Sequence, residues 1–243
     1  MDARQPGAPG RVRSPVLASA PVAVVGFALV RDLVGWMPRS ATAVGVVAGP
    51  LALLGYLVGS VPYGRLLSRR RAPGQAADPA PAAVAAALAA LLVTTVAWEV
   101  ASAATPGAQY SSAVGGFSDQ ALGAWVSVAL WTGAAAVVGH VAPVWSRFRG
   151  DTGAPPAVAL AFTHAPVVFA VAAGAFLAAY AVTTRPRLAF VGCLPVAVAF
   201  TYVAWIADLQ AGWGVTHGPE LTLWVAVVAG ALLARNGRAA AEP

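Results

Sequence analysis

The run Gly139-His140-Val141-Ala142-Pro143-Val144-Trp145-Ser146-Arg147-Phe148-Arg149-Gly150-Asp151-Thr152-Gly153 decides how this chain is read. An apolar segment over 121–145 with no Asp, Glu, Lys or Arg ends there in a His, a Pro, two Arg and a turn bracketed by glycines. As a helix rising about 1.5 Å per residue, such a segment crosses the ~30 Å of a bilayer's hydrocarbon. The stretch therefore reads as a membrane helix running into a polar turn.

Composition extends that reading to the whole molecule. Of 243 residues, 59% are hydrophobic and 10% charged, and the mean hydropathy is +0.73, far from soluble globular averages. Apolar runs over 42–67, 80–101, 156–180, 188–208 and 219–234 repeat the length seen at 121–145. A further run over 15–35, containing Pro21 and closed by Arg31 and Asp32, reads as a signal anchor or first span. The expected fold is an all-α polytopic membrane helix bundle of about seven transmembrane helices, or six if 15–35 lies along the surface. Residues 1–14, broken by Pro6, Pro9, Gly7 and Gly10, read as a disordered basic lead. Residues 15–238 are expected to form a single membrane domain and 239–243 a tail.

All 15 basic residues are Arg, since the chain has no Lys. With its abundance of Ala, Gly, Pro and Val, this composition suggests a GC-rich, bacterial source; the expected location of such a multi-pass protein is the bacterial inner, cytoplasmic membrane. The net charge of +6 belongs to short loops beside spans, so it reads as orientation and contact with membrane lipids, with no nucleic-acid partner. Alternating sides places the N-terminus, 65–79, 146–155 and 209–218 on one face with nine Arg. Arg31, Arg39, Arg185, Arg187, Arg235 and Arg238 fall on the other. The richer face, with both polar loops, is expected in the cytoplasm.

Few residues carry chemistry. Gly55, Gly59 and Gly64 lie beside Ser60, and small residues at spacing four allow close helix contact. Pro62 removes a backbone donor near the helix end, so the loosened turn can present Ser60 to a polar cavity. His140 sits three residues before Pro143, where a hydrogen-bonded helix-end His is the ordinary case. Arg147 and Arg149 flank Phe148, and Gly150 and Gly153 bracket a turn whose backbone N–H groups suit an anion, above all a phosphate. Arg side chains reaching lipid headgroups account for the charges but not for the glycine spacing. His164 reads either as an intramembrane functional group or as a His bonded to a backbone carbonyl. Glu99, Asp208 and Glu220 read as span-end carboxylates, and Trp36, Trp98, Trp125, Trp145, Trp205, Trp213 and Trp224 mostly as interfacial anchors. Three scattered His and the lone Cys193 have no metal-ligand spacing, and Cys193 reads as a buried thiol.

Two stretches carry a resemblance. Gly59, Ser60, Pro62 and Gly64 fit Gly-Ser-x-Pro-x-Gly. Gly139, His140, Pro143, Phe148, Gly150 and Gly153 fit Gly-His-x-x-Pro-x-x-x-x-Phe-x-Gly-Gly-Lys-Gly in register. Both patterns resemble motifs of the bacterial acyl-phosphate:glycerol-3-phosphate acyltransferases, integral membrane enzymes of phospholipid synthesis, and the similarity covers roughly 42–238. Asp151 and Thr152 stand where that pattern has Gly and Lys. A middle motif, Gly-Ser-Gly-Asn-x-Gly-Ala-Thr-Asn, is missing after Arg71.

The resemblance implies a divergent member whose reaction transfers an acyl group from acyl-phosphate to glycerol-3-phosphate, giving lysophosphatidate with no cofactor. It implies Ser60 and His140 near the reacting centre, and Gly59, Gly64, Arg69, Arg149, Gly150 and Gly153 around the substrate, with Arg69 to Arg71 replacing lost ligands. A catalytically inactive relative that binds lipid or a partner is the second reading, and a small transporter the third.

Overall fold

In hydrocarbon every backbone polar group needs an internal partner, and this chain meets that demand with helices. The computed structural model describes residues 41–68, 78–104, 109–110, 122–210, 213–214, 216 and 218–241. The stretch Thr42–Pro243 forms one compact unit. The basic lead, the 15–35 run, Arg69 to Arg71 and most of the segment expected to hold the middle motif lie outside the described residues.

The helices are α1 (Ala41–Gly59), α2 (Tyr63–Ser68), α3 (Ala80–Ala104), α4 (Ala124–Val141), α5 (Ala154–His164), α6 (Pro166–Thr183), α7 (Pro186–Ile206) and α8 (Gly218–Ala241). A two-residue antiparallel pairing joins Gln109 to Gly123 and Tyr110 to Leu122 ahead of α4. Among the described residues five helices are long and apolar enough to cross a membrane, and Val46–Gly59 within α1 is a shorter apolar helix. The chain is an all-helical membrane protein apart from that short pairing.

Small residues set the packing. α3 buries Ala86, Ala90, Val93, Ala97 and Ala101, a stripe at spacings of three and four, against α4 and its neighbours. α1 lies still closer to α4. A methyl group added at Gly55 or Gly59 would overlap the carbonyl of Thr132 or Ala136, and one at Gly139 would overlap the carbonyl of Tyr56. Since Gly55 meets Thr132 and Gly59 meets Ala136, α1 runs parallel to α4 and both finish at the same end.

Two expectations change. The run over 156–180 is two helices, because Ala165 (φ −142°, ψ 63°) breaks the ladder ahead of Pro166. A residue preceding proline is pushed out of the α region, and proline itself is welcome at the first position of a new helix. α5, with 11 residues, spans only about 16 Å. It runs antiparallel to α4, since Gly153 packs on Val141 and Leu160 on Gly133.

The chain therefore turns back at Ala165, and the sides of everything after it differ from simple alternation. Gly214, in the α7–α8 connection, packs on His164 and Ala165, at the far end of α5 from the Gly150 turn. α8 then returns, with Trp224 Nε1 donating to Leu130 O (3.0 Å) and Arg235 reaching the Gly150 carbonyl. Loop 209–218 thus lies opposite 146–155, while Arg235 shares its end. α6 and α7, joined by Thr184 and Arg185 and packed along their lengths, bring Arg185 and Arg187 to that same end.

The opposite end closes with a buried polar cluster. Gln210 donates to Thr201 O (2.6 Å) and accepts from Gly218 N (2.6 Å), and Trp131 and Thr216 donate to Glu220 (3.3 and 3.2 Å). Glu220 is thus a bonded core residue rather than a solvated one, and Trp224 is buried among the core side chains rather than sitting as an interfacial anchor.

Candidate functional site

Helix α4 ends at Val141 because Pro143 follows, and the chain then makes a short 3-10 turn over Val144–Ser146. Arg147 and Phe148 both adopt the left-handed conformation (φ 53° and 61°), rare for residues with a β-carbon, and this folds the loop back on the helix end. The fold-back is fixed by Phe148 N donating to Pro143 O (2.9 Å) and Asp151 N to His140 O (3.1 Å). Gly150 sits where a methyl would overlap the carbonyls of both His140 and Val141. Gly153 has φ 73° and opens α5, whose first turn carries Pro155 and Pro156 where no N–H is needed. Val144, Trp145 and Phe148 are exposed beside Arg147 and Arg149, the pattern of a bilayer's interfacial level.

The first glycine-rich stretch meets this loop. The Gly59 backbone and the Asp151 carboxylate both lie near enough to the His140 ring to act on it electrostatically. Tyr63, at the start of α2, lies against the same ring with centroids 6.4 Å apart, while its hydroxyl donates to Val58 O (3.0 Å). Tyr56 ties the two helix ends by donating to Ala142 O (2.8 Å).

Of the residues singled out in the sequence, Gly59, Ser60, His140, Gly150 and Gly153 come together. Arg149 projects from the same loop and is exposed, Gly64 is exposed with open space where a β-carbon would project, and Arg69 lies outside the described residues. Ser60 differs from expectation. It is 1% exposed, and its hydroxyl donates to the carbonyl of Tyr56 one turn back (2.7 Å), so it caps its own helix instead of facing a cavity.

The turn's N–H groups are also largely engaged. Asp151 N is on His140, Thr152 N on Asp151 Oδ1 (2.7 Å), Arg149 N on Ser146 O (3.1 Å) and Ala154 N on Thr152 Oγ1 (3.4 Å). His164 bonds the Leu160 carbonyl (3.1 Å), the structural one of its two readings, and Cys193 is buried.

Residues 50–239 match the glycerol-3-phosphate acyltransferase family. The chain belongs to that family. A glycerol-3-phosphate acyltransferase of Rhodospirillum rubrum is 31% identical over 169 residues, 65% of this chain and 75% of the relative. One of Bacillus cereus is 43% identical over 47 residues, 19% of this chain and 24% of the relative. One of Salinibacter ruber is 29% identical over 105 residues, 43% and 44% respectively. Solved structures of an integral membrane glycerol 3-phosphate acyltransferase, in glycerol 3-phosphate and lysophosphatidic acid forms, align over 79% of this chain at 20% identity. The TM-score is 0.47 for each, with 90% and 89% of those chains covered.

Within this glycerol-3-phosphate acyltransferase-like protein, sequence reasoning passed over two residues that hold the turn from outside. Arg235 donates from Nε and Nη2 to Gly150 O (3.1 and 2.9 Å), and Asn236 donates from Nδ2 to Thr152 O (2.9 Å). One signal was available: Asn236 is the only Asn in the chain and stands with Arg235 at the polar end of an apolar helix. What it lacked was any indication of the partner, 84 positions away.

Proposed function

We propose that this membrane protein acylates glycerol-3-phosphate, with acyl-phosphate as donor and lysophosphatidate and inorganic phosphate as products. The observation carrying the reading is the juxtaposition, in a member of this family, of His140 with the Gly59–Ser60 helix end and the Gly150–Gly153 turn. In the reaction the glycerol hydroxyl oxygen forms a bond to the acyl carbonyl carbon as the bond from that carbon to the phosphate oxygen breaks. His140 takes the hydroxyl proton, and Asp151 stabilises the imidazolium that results. Ser60 sits beside the reacting centre and exchanges its bond with Tyr56 for one to substrate when the helix end opens. Gly59 and Gly64 border the substrate, Arg149 and Arg69 offset its negative charge, and Gly150 and Gly153 allow the close turn that shapes the site.

The protein is proposed to act in the bacterial cytoplasmic membrane, with residues 15–238 as one membrane domain and the motif loops facing the cytoplasm. Arg65, Arg147, Arg149, Arg185, Arg187 and Arg235 gather at the motif end, whereas Glu99, Asp208 and Glu220 lie toward the other, which suits that orientation.

Detergent-purified protein supplied with acyl-phosphate and glycerol-3-phosphate should release lysophosphatidate. No turnover beside an active relative from the same family would overturn the enzymatic reading. That result would leave the inactive-relative reading, which Asp151, Thr152 and the absent middle motif favour.

A further inference from the structure

A turn that is to hold a phosphate needs positive charge and free donors, and at positions 151 and 152 this one is short of both. Its own side chains at 151 and 152 are a carboxylate and a hydroxyl, and the chain has no Lys to bring. Its backbone donors at 149, 151, 152 and 154 are already bonded within the loop. Arg147 and Arg149 precede the Gly150–Gly153 turn, so a cation beside positions 151 and 152 has to come from another element.

Arg235 is placed to supply it. The residue is exposed near the end of α8, and two of its five N–H groups, on Nε and Nη2, are fixed on the Gly150 carbonyl. A guanidinium held through one edge keeps its Nη1 edge and the remaining Nη2 hydrogen directed elsewhere, with its orientation set in advance. Asn236, one residue on, grips the Thr152 carbonyl, so the last turns of α8 hold both sides of the turn.

We propose that Arg235 is the cation that binds the phosphate monoester of the substrate at this turn, supplied in space by α8 because the turn lacks a cation at 151 and 152. The proposal rests on the acyltransferase reading for the identity of the substrate. The same chemistry would also suit an anionic lipid headgroup, and the experiment separates the two.

Glycerol-3-phosphate binding is measured by calorimetry on protein in a neutral detergent free of anionic lipid, with glycerol as the uncharged control. Arg235→Gln can still donate to the Gly150 carbonyl but carries no charge. It should bind about ten- to a hundredfold more weakly than wild type, as loss of a charge-assisted bond implies. Arg235→Lys should lose less than Arg235→Gln, since charge is retained although the fork that orients it is lost. Adding Thr152→Lys to Arg235→Gln should recover most of the binding, because a cation then returns from the turn itself, and Arg235→Met, a second neutral variant expected to lose binding likewise, carries the test should Arg235→Gln unfold.

Equal binding by wild type and Arg235→Gln overturns the proposal, as does a wild type that does not bind. So does a loss confined to vesicles containing anionic phospholipid, which would assign Arg235 to headgroups. Wild-type binding that depends on Arg235, in a protein without turnover, leaves the phosphate site standing and overturns the enzymatic reading. Turnover with binding indifferent to Arg235 does the reverse.

Discussion

Gly59 and Gly139 are positions where two helix backbones touch, so a single methyl has nowhere to go except by separating α1 from α4. Overpacking of this kind destabilises by about 1–3 kcal/mol. Gly59→Ala and Gly139→Ala should each lower the melting temperature in detergent, whereas Gly64→Ala, open on all sides, should change stability by less than about 0.5 kcal/mol. An unchanged melting temperature for Gly139→Ala would mean that the helices are not in backbone contact. Ser60 poses a different question, because its hydroxyl is buried and bonded within α1. Ser60→Ala should cost about 1 kcal/mol of stability as a lost helix-end hydrogen bond. If the residue also touches substrate, turnover should fall far more than that loss explains, and retention of full turnover would reduce Ser60 to a cap. The motif glycines were legible in the sequence because their spacing reflects local geometry. Their reason was only half legible: Gly150 is required by the carbonyls of His140 and Val141, a contact within the loop, and not by a phosphate alone.

At the scale of elements, the decisive feature is the break at Ala165–Pro166. An apolar run of 25 residues over 156–180 has the length of one span, and hydropathy does not register the change of direction inside it. Pro166 was the available signal, but a proline in a membrane segment is equally compatible with a kink in a continuous helix. What holds the break is tertiary. Gly214 packs its backbone against the His164 carbonyl, and the connection carrying it is pinned by Gln210 between Thr201 and Gly218. Gly214→Val should push this connection off the α5–α6 junction and destabilise the protein by about 1–3 kcal/mol. Gln210→Leu, which removes the bonds to Thr201 and Gly218, should have a similar effect through unpaired buried groups. Both losses should appear as faster amide exchange at the ends of α5 and α8, and not at the α1–α4 contact. Uniform acceleration across the molecule would show that the two ends are not separate units of stability.

At the scale of the molecule, the return of the chain at Ala165 turns the three-to-three division of the six described Arg side chains under strict alternation into a one-sided one. Strict alternation divides the Arg residues nine to six and leaves Arg235 and Arg238 on the poorer side. With α5 and α6 taken as separate elements, the six described Arg side chains, Arg65, Arg147, Arg149, Arg185, Arg187 and Arg235, all stand at the motif end, the end proposed to face the cytoplasm. The point is decided by Arg187, because the two topologies put it on opposite faces while agreeing about Arg149. Cys193 is the only native thiol and is buried, so Cys193→Ala gives a background without labelling. In that background, Arg149→Cys, Arg187→Cys and Asp208→Cys are to be treated in intact cells with a membrane-impermeant maleimide. Asp208→Cys should react from outside, while Arg149→Cys and Arg187→Cys should react only after the membrane is permeabilised. Labelling of Arg187→Cys in intact cells, with Asp208→Cys protected, would restore alternation. It would also separate α7 from the end that holds the Gly150 turn.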